Sequence, residues 1–311
     1  MGSFWSQPIR VECRDSAQLI TCRTINSALW FVNNKKLEGM ILGYLAKYAE
    51  KYGVLLYAFT LVGNHYHMVA KFPLGQRSFF FRDFNARVAQ AVKHCVPNYL
   101  GGPLFERRYT PQVLLLDEDV ENYFLYCALQ PVHSGLCERG SDYCDYNSFY
   151  DASSQIVRKF KLFNYGRYNA AKRYNSNISR KDFVQEYDLK YERLPGHEAL
   201  SARDYKLKLQ SKLEKRRKDI VHDRSVRNKG FLGRDKLLRV VPGSYPRNSK
   251  KGGMRPLVLS VCREAKNRYL SWYFSVIGEF KSAVVKYRSG EFDVEFPAGT
   301  FRPPGMCIDS C

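Results

Sequence analysis

Two apolar segments split by two turn residues constrain this chain more than any other feature. "VLLYAFTLV" (Val54 to Val62) is a continuous apolar run of strand length, the pattern of a central strand covered on both faces. Gly63-Asn64 then makes a two-residue turn of hairpin type. "HYHMVAKF" alternates after it, with Tyr66, Met68, Ala70 and Phe72 on one face and His65, His67, Val69 and Lys71 on the other. A hairpin with one face set into a core follows from this pattern.

The flanking sequence supplies the rest of a layered α+β unit. "AQLITCRT" (Ala17 to Thr24) reads as a strand. Leu37 to Tyr52 carries a helical apolar stripe through Leu37, Met40, Ile41, Tyr44, Leu45, Tyr48 and Tyr52. A second stripe runs from Phe80 to Val96 through Phe84, Val88, Ala91 and Cys95. Tyr109 to Leu116 reads as a strand, and Pro111 places it at a sheet edge. Asp117 to Gln130 is a helix with acids crowded into its first turn, ended by Pro131 and Gly135. The order β-α-β-β-α-β followed by α predicts an α+β fold: a ferredoxin-like antiparallel sheet with helices.

Charge divides the chain at about residue 150. Residues 1–150 hold 15 Lys and Arg against 13 Asp and Glu, a balance of +2; residues 151–311 hold 35 against 17, a balance of +18. A nearly neutral 1–150 unit joined to a basic 151–311 region points to a polyanionic partner. The second region reads as mainly helical. Arg158 to Asn175 is rich in Lys, Arg, Tyr and Asn, and Ser201 with Asp204 caps a long basic helix. Pro242 to Pro256 reads as a flexible basic linker, and a last helix covers about Leu257 to Tyr287. No stretch approaches the roughly 18 apolar residues of a membrane span, so no membrane partner is expected. The opening residues lack the apolar core of a secretory leader, and the nine cysteines form no CxxC pair. A cytoplasmic protein with reduced thiols is expected.

His65 and His67 lie at i and i+2 of a strand, on one side and about 6.5–7 Å apart along it, so they can converge on one cation or simply bond to neighbours. The helix at 117–130 places Tyr126 and Gln130 one turn apart, at the border of the apolar stripe Val120, Phe124 and Cys127. Docked on the sheet by that stripe, it would hold an amide oxygen and a phenol beside the histidines. The oxygen suits a hard ion, and the phenol can attack a phosphate polarised by it. Tyr123, one turn earlier, competes for that role. A zinc hydrolase would need further ligands, and the other histidines are scattered.

Read together, "LVGNHYHMVAKFP" and "NYFLYCALQPVHSGL" resemble the single-tyrosine HUH transposases of bacterial insertion sequences, nearest to the REP-associated tyrosine transposases. That family shows N-H-hydrophobe-H on a central strand and a helix of the form Y-x-x-x-[N/Q]-P-V-x-x-G-L. These fall on Asn64 to His67 and on Tyr126, Gln130, Pro131, Val132, Gly135 and Leu136. Tyr66 departs from the usual smaller aliphatic, and Gln130 follows the insertion-sequence branch, where Asn is commoner elsewhere. The resemblance spans about residues 10–150, with a weaker echo in "FPAGTFRPP".

The resemblance implies an HUH endonuclease core that cuts and rejoins single-stranded or hairpin DNA, as a monomer or homodimer in the bacterial nucleoid. His65, His67 and Gln130 would hold Mg²⁺ or Mn²⁺, and Tyr126 would form a 5′-phosphotyrosine intermediate. The alternative is a domesticated HUH-fold protein that binds DNA or structured RNA without transposition. Candidate nucleic-acid contacts are Arg107 and Arg108 ahead of the edge strand, then Arg158, Lys159, Lys161, Arg167, Lys172 and Arg173, and Lys215, Arg216, Arg217 and Lys218 on the basic helix.

Overall fold

A computed structural model describes residues 9–175, 177–246 and 255–304. The chain is a mixed α+β protein built on a five-stranded sheet. Strand β1 (Ala17–Arg23) is followed by helix α1 (Lys35–Lys51), strands β2 (Leu55–Val62) and β3 (His65–Lys71), helix α2 (Arg77–Cys95) and strand β4 (Thr110–Leu114). Then come helices α3 (Asp117–Ala128), α4 (Gln130–His133) and α5 (Phe149–Ser153). The sheet order is β2-β3-β1-β4-β7, where β7 (Val258–Leu259) comes from far along the chain.

Alternation in β3 decides which helix covers which face. Tyr66 and Met68 are fully buried, and the Tyr66 ring meets Phe84 of α2 at 5.7 Å, so α1 and α2 form the layer on that side. The opposite face carries His65 and His67 and receives α3 through buried Val120, Phe124 and Cys127. Fully burying one such side chain contributes roughly 1.5–3 kcal/mol, so slipping β3 by a single residue would cost several of them at once.

One expectation fails at β4. That strand is not an edge: it pairs antiparallel with β1 and, on its other side, parallel with β7 through Val113↔Val258 and Leu114↔Leu259. Pro111 has no N–H to give in that direction, so the ladder to β7 starts two residues later, where Val113 N donates to Leu257 O at 2.9 Å. Gln112 fills the gap with its side chain, Nε2 donating to Pro256 O at 3.1 Å.

The basic second half is more mixed than a helical reading allows. β5 (Arg158–Phe163) pairs antiparallel with β6 (Val184–Leu189) as a separate two-stranded sheet laid on α1. Phe160 and Leu162 face inward there, and a Cβ on Gly43 would come within 3.0 Å of Leu162 Cδ2, so glycine lets the strand approach. Helices α6 (Tyr165–Lys172), α7 (Ala202–Val226), α8 (Arg234–Leu238) and α9 (Arg263–Arg288) complete the chain. Ser201 caps α7, its Oγ accepting from Asp204 N at 3.1 Å. The last helix begins at Arg263 rather than near 257 because the sheet takes Val258 and Leu259. Of the expected linker, residues 247–254 lie outside the described residues, while Ser244 O accepts from Leu29 N at 2.8 Å. Among the described residues all cysteines are free, and no helix is long and apolar enough to cross a membrane.

Candidate active site

The hairpin turn fixes where the histidines begin. A Cβ on Gly63 would sit 2.7 Å from Val32 Cγ1 and 2.9 Å from Leu29 Cδ2, so only glycine passes under that loop. Phe31 N donates to Gly63 O and Thr24 N to Asn64 O, both at 2.9 Å, pinning the turn to the loop after β1. From there β3 sets the His65 and His67 rings side by side, centroids 4.8 Å apart and nearly perpendicular.

Both imidazoles are oriented by a neighbour. Nδ1 of His65 lies 2.6 Å from Asn64 Oδ1, an acceptor, so Nδ1 carries the proton and Nε2 keeps its lone pair. Nδ1 of His67 lies 3.1 Å from Thr21 Oγ1 on β1, directly opposite in register; with Nδ1–H donating, Nε2 is again free. Burial, followed by the Arg23 and Arg255 charges, pushes His65 down to about 3. His67 is held well below its ordinary value by burial, then by His65, Arg255 and Arg23. Both are therefore neutral at pH 7, the form that can donate to a cation.

Helix α3 is seated by the consequences of Pro131. That residue has no N–H for Cys127 O, and Thr60 Oγ1 on β2 donates to this carbonyl instead, at 2.9 Å. Asn147 Nδ2 donates to the next orphan, Ala128 O, at 2.7 Å. The helix breaks at Leu129, and Gln130 opens the short α4 as a buried residue. Its amide Nε2 is buried with no hydrogen-bond partner among the described residues. A half-turn of that amide exchanges nitrogen for oxygen, so the group can serve as a ligand.

Tyr126 is half-buried and lies edge-on to His67, ring centroids 5.8 Å apart at 88°. Tyr123 touches Tyr126 at 5.8 Å; among the described residues it is Tyr126, not Tyr123, whose ring meets the histidine pair. His133 also packs on the Tyr126 ring at 5.4 Å, and burial followed by Arg224 lowers its ionisation. Two neutral imidazoles and an amide suit a borderline or hard divalent ion that keeps open positions. Among the described residues there is no group of three or more His, Cys, Asp or Glu that could hold a metal.

Sequence reasoning missed two cations here. Arg23 ends β1 directly opposite His65, and its Nε is buried without a hydrogen-bond partner. Arg255 is half-buried ahead of β7; burial, then Arg23, lowers its ionisation, while Tyr126 acts in the opposite sense. The position of Arg23 was legible from β1 pairing, but Arg255 carried no signal within a basic stretch.

The candidate nucleic-acid contacts fall into three groups. Arg107 and Arg108 line a cleft of about 830 Å³ together with Arg10, Arg82, Phe81 and Tyr109, a mixture of guanidiniums and rings. Lys161, Arg167, Lys172, Arg173, Lys215 and Lys218 are exposed. Others are engaged within the protein. Arg158 holds buried Asp151 through two bonds of 2.5 and 2.9 Å, and Lys159 pairs with Glu186 at 3.1 Å. Arg216 bonds to Asn122 of α3, and Arg217 bonds to Glu214 at 2.7 and 2.8 Å.

No protein-family model and no curated protein matches this chain. Among solved structures, one of a REP-associated tyrosine transposase bound to a REP hairpin is similar over 47% of this chain and 83% of that one, at 15% identity and a TM-score of 0.40. No residue role follows from a likeness that distant.

Proposed function

We propose that the chain is a strand transferase that cleaves and rejoins single-stranded or hairpin DNA through a 5′-phosphotyrosine. The observation that supports this reading is a pair of neutral imidazoles on one face of the sheet with a half-buried phenol edge-on to His67, beside a helix break that leaves the Gln130 amide buried without a hydrogen-bond partner among the described residues. The order β2-β3-β1-β4, with α1 and α2 on the opposite face, supports the ferredoxin-like HUH core. The division at residue 150, with the basic region adding DNA contacts, belongs to the same proposal.

His65 Nε2, His67 Nε2 and the Gln130 amide oxygen would hold Mg²⁺ or Mn²⁺, which supplies Lewis-acid polarisation of the scissile phosphate when bound. Tyr126 Oη attacks that phosphorus, a P–O bond forms, and the bond to the 3′ oxygen breaks; the phenolic proton passes to solvent and the departing oxygen takes one to become a free 3′-OH. Because the phosphodiester is conserved in the tyrosine link, a second 3′-OH can attack it and expel Tyr126, which water attack would waste. The test separates transfer from hydrolysis. Labelled hairpin DNA is cut in Mn²⁺ and chased with a second strand bearing a 3′-OH. A joined product of the summed length supports the proposal; cut ends that never join, or intact DNA that is only bound, would assign a nuclease or the domesticated binding protein.

A further inference from the structure

The sheet's last strand brings a residue from the second half of the chain to the histidine face. His67 stands level with Thr60 on β2 and Thr21 on β1, and Thr21 with Thr110 on β4. In the parallel β4–β7 pair, Val113 faces Val258 and Leu114 faces Leu259, and the chain bends at Leu257 just ahead of the strand. Arg255 lies just before that bend, close enough for its charge to act on His65, His67 and Tyr126 alike. Three bonds fix the segment that follows it: Gln112 Nε2 to Pro256 O, Val113 N to Leu257 O, and Val261 N to Asp119 Oδ1 at 2.8 Å. Asp119 is fully buried in the first turn of the helix that carries Tyr126.

We propose that Arg255, with Arg23, forms the phosphate-binding half of this active site, so that the site is incomplete without the segment that carries β7. This deepens the strand-transfer reading and rests on it for the identity of the phosphate. Among the described residues no carboxylate pairs with either guanidinium, and Arg107 adds a third positive charge nearby. Two half-buried like charges facing neutral imidazoles are unfavourable unless an anion joins them. A phosphodiester oxygen between Tyr126 and the arginines meets that demand with charge-assisted hydrogen bonds. The same arrangement explains how a site without carboxylates would hold a divalent ion: phosphate supplies the negative charge, and ion and phosphate favour each other's binding.

The test uses the full chain with 3-fluorotyrosine at position 126 and inorganic phosphate as the probe, titrated while the ¹⁹F signal is followed. Phosphate should shift the signal saturably, and Arg255→Met should raise the half-saturating concentration about tenfold or more. Arg255→Lys should fall between, having charge without the planar fork, and Lys281→Met on the exposed face of α9 should leave the titration unchanged. Arg255→Gln decides the matter if the Met variant does not fold. An uncharged variant that titrates like wild type overturns the proposal. A normal adduct on DNA with unaltered phosphate titration in Arg255→Met would remove this inference and keep the strand transferase; an Arg255-dependent titration in a protein that never forms the adduct would do the reverse.

Discussion

Thr21→Val tests whether the histidine face is a ligand site or merely a satisfied core. The exchange keeps side-chain shape and removes the one hydroxyl that orients His67, leaving Nδ1 of a buried imidazole without its 3.1 Å partner. An unsatisfied buried polar group costs about 1–3 kcal/mol of stability. If His67 is a ligand, losing the group that fixes its ring should also weaken metal binding by about 10–100-fold, or about 1.4–2.7 kcal/mol. Free Mn²⁺ followed by electron paramagnetic resonance gives the affinity, and a urea titration gives the stability. Thr21→Ser keeps the hydroxyl and should restore most of both. A Val variant that loses stability but binds Mn²⁺ as the Ser variant does would refute the ligand reading and leave His67 a hydrogen-bonded core residue.

Two further outcomes follow from charges elsewhere. Burial, with Glu38 nearby, raises Asp145 to about 6, and a raised carboxyl contributes stability that is present below its unfolded value near 4 and lost as pH rises through about 6. Asp145→Asn should therefore stabilise the protein at about pH 8 by less than on the order of 3 kcal/mol, since the group keeps some solvent access, and should do nothing at about pH 3; thermal melts at both pH values check this. Replacing exposed Lys161, Arg167 and Lys172 together with Gln should flatten the salt dependence of single-strand binding by about two units of log–log slope. Arg158→Gln should instead destabilise the fold by about 1–3 kcal/mol because it removes the charged partner of buried Asp151 and leaves it the Tyr146 hydroxyl.

Much of the site was legible because it is local. The His65/His67 pair follows from strand alternation after a Gly-Asn turn, and Tyr126 with Gln130 follows from helical spacing ahead of a proline. The orphan carbonyls behind Pro131 could be foreseen too, though not that Thr60 and Asn147 would donate to them. What was hidden is non-local. β7 is two residues long and arrives from beyond residue 254, so no periodicity announces it, and Pro111 gave the opposite impression by marking an edge that exists only at the start of β4. β5 was masked by its own lysines: Lys159 and Lys161 drew attention to charge, while Phe160 and Leu162 between them carry the strand's packing on α1. Arg158, Arg216 and Arg217 looked like contacts for an outside anion, yet the fold uses each for an internal acceptor.

The central claim is that Tyr126 is the nucleophile of a metal-dependent cut. Its most direct measurement mixes the purified chain with labelled hairpin DNAs and Mn²⁺ and looks on a denaturing gel for protein-linked DNA. The account predicts an adduct that survives denaturant, persists in Tyr123→Phe, and disappears in Tyr126→Phe and in EDTA. An adduct that persists in Tyr126→Phe, or no adduct on any strand the protein binds tightly, would contradict it.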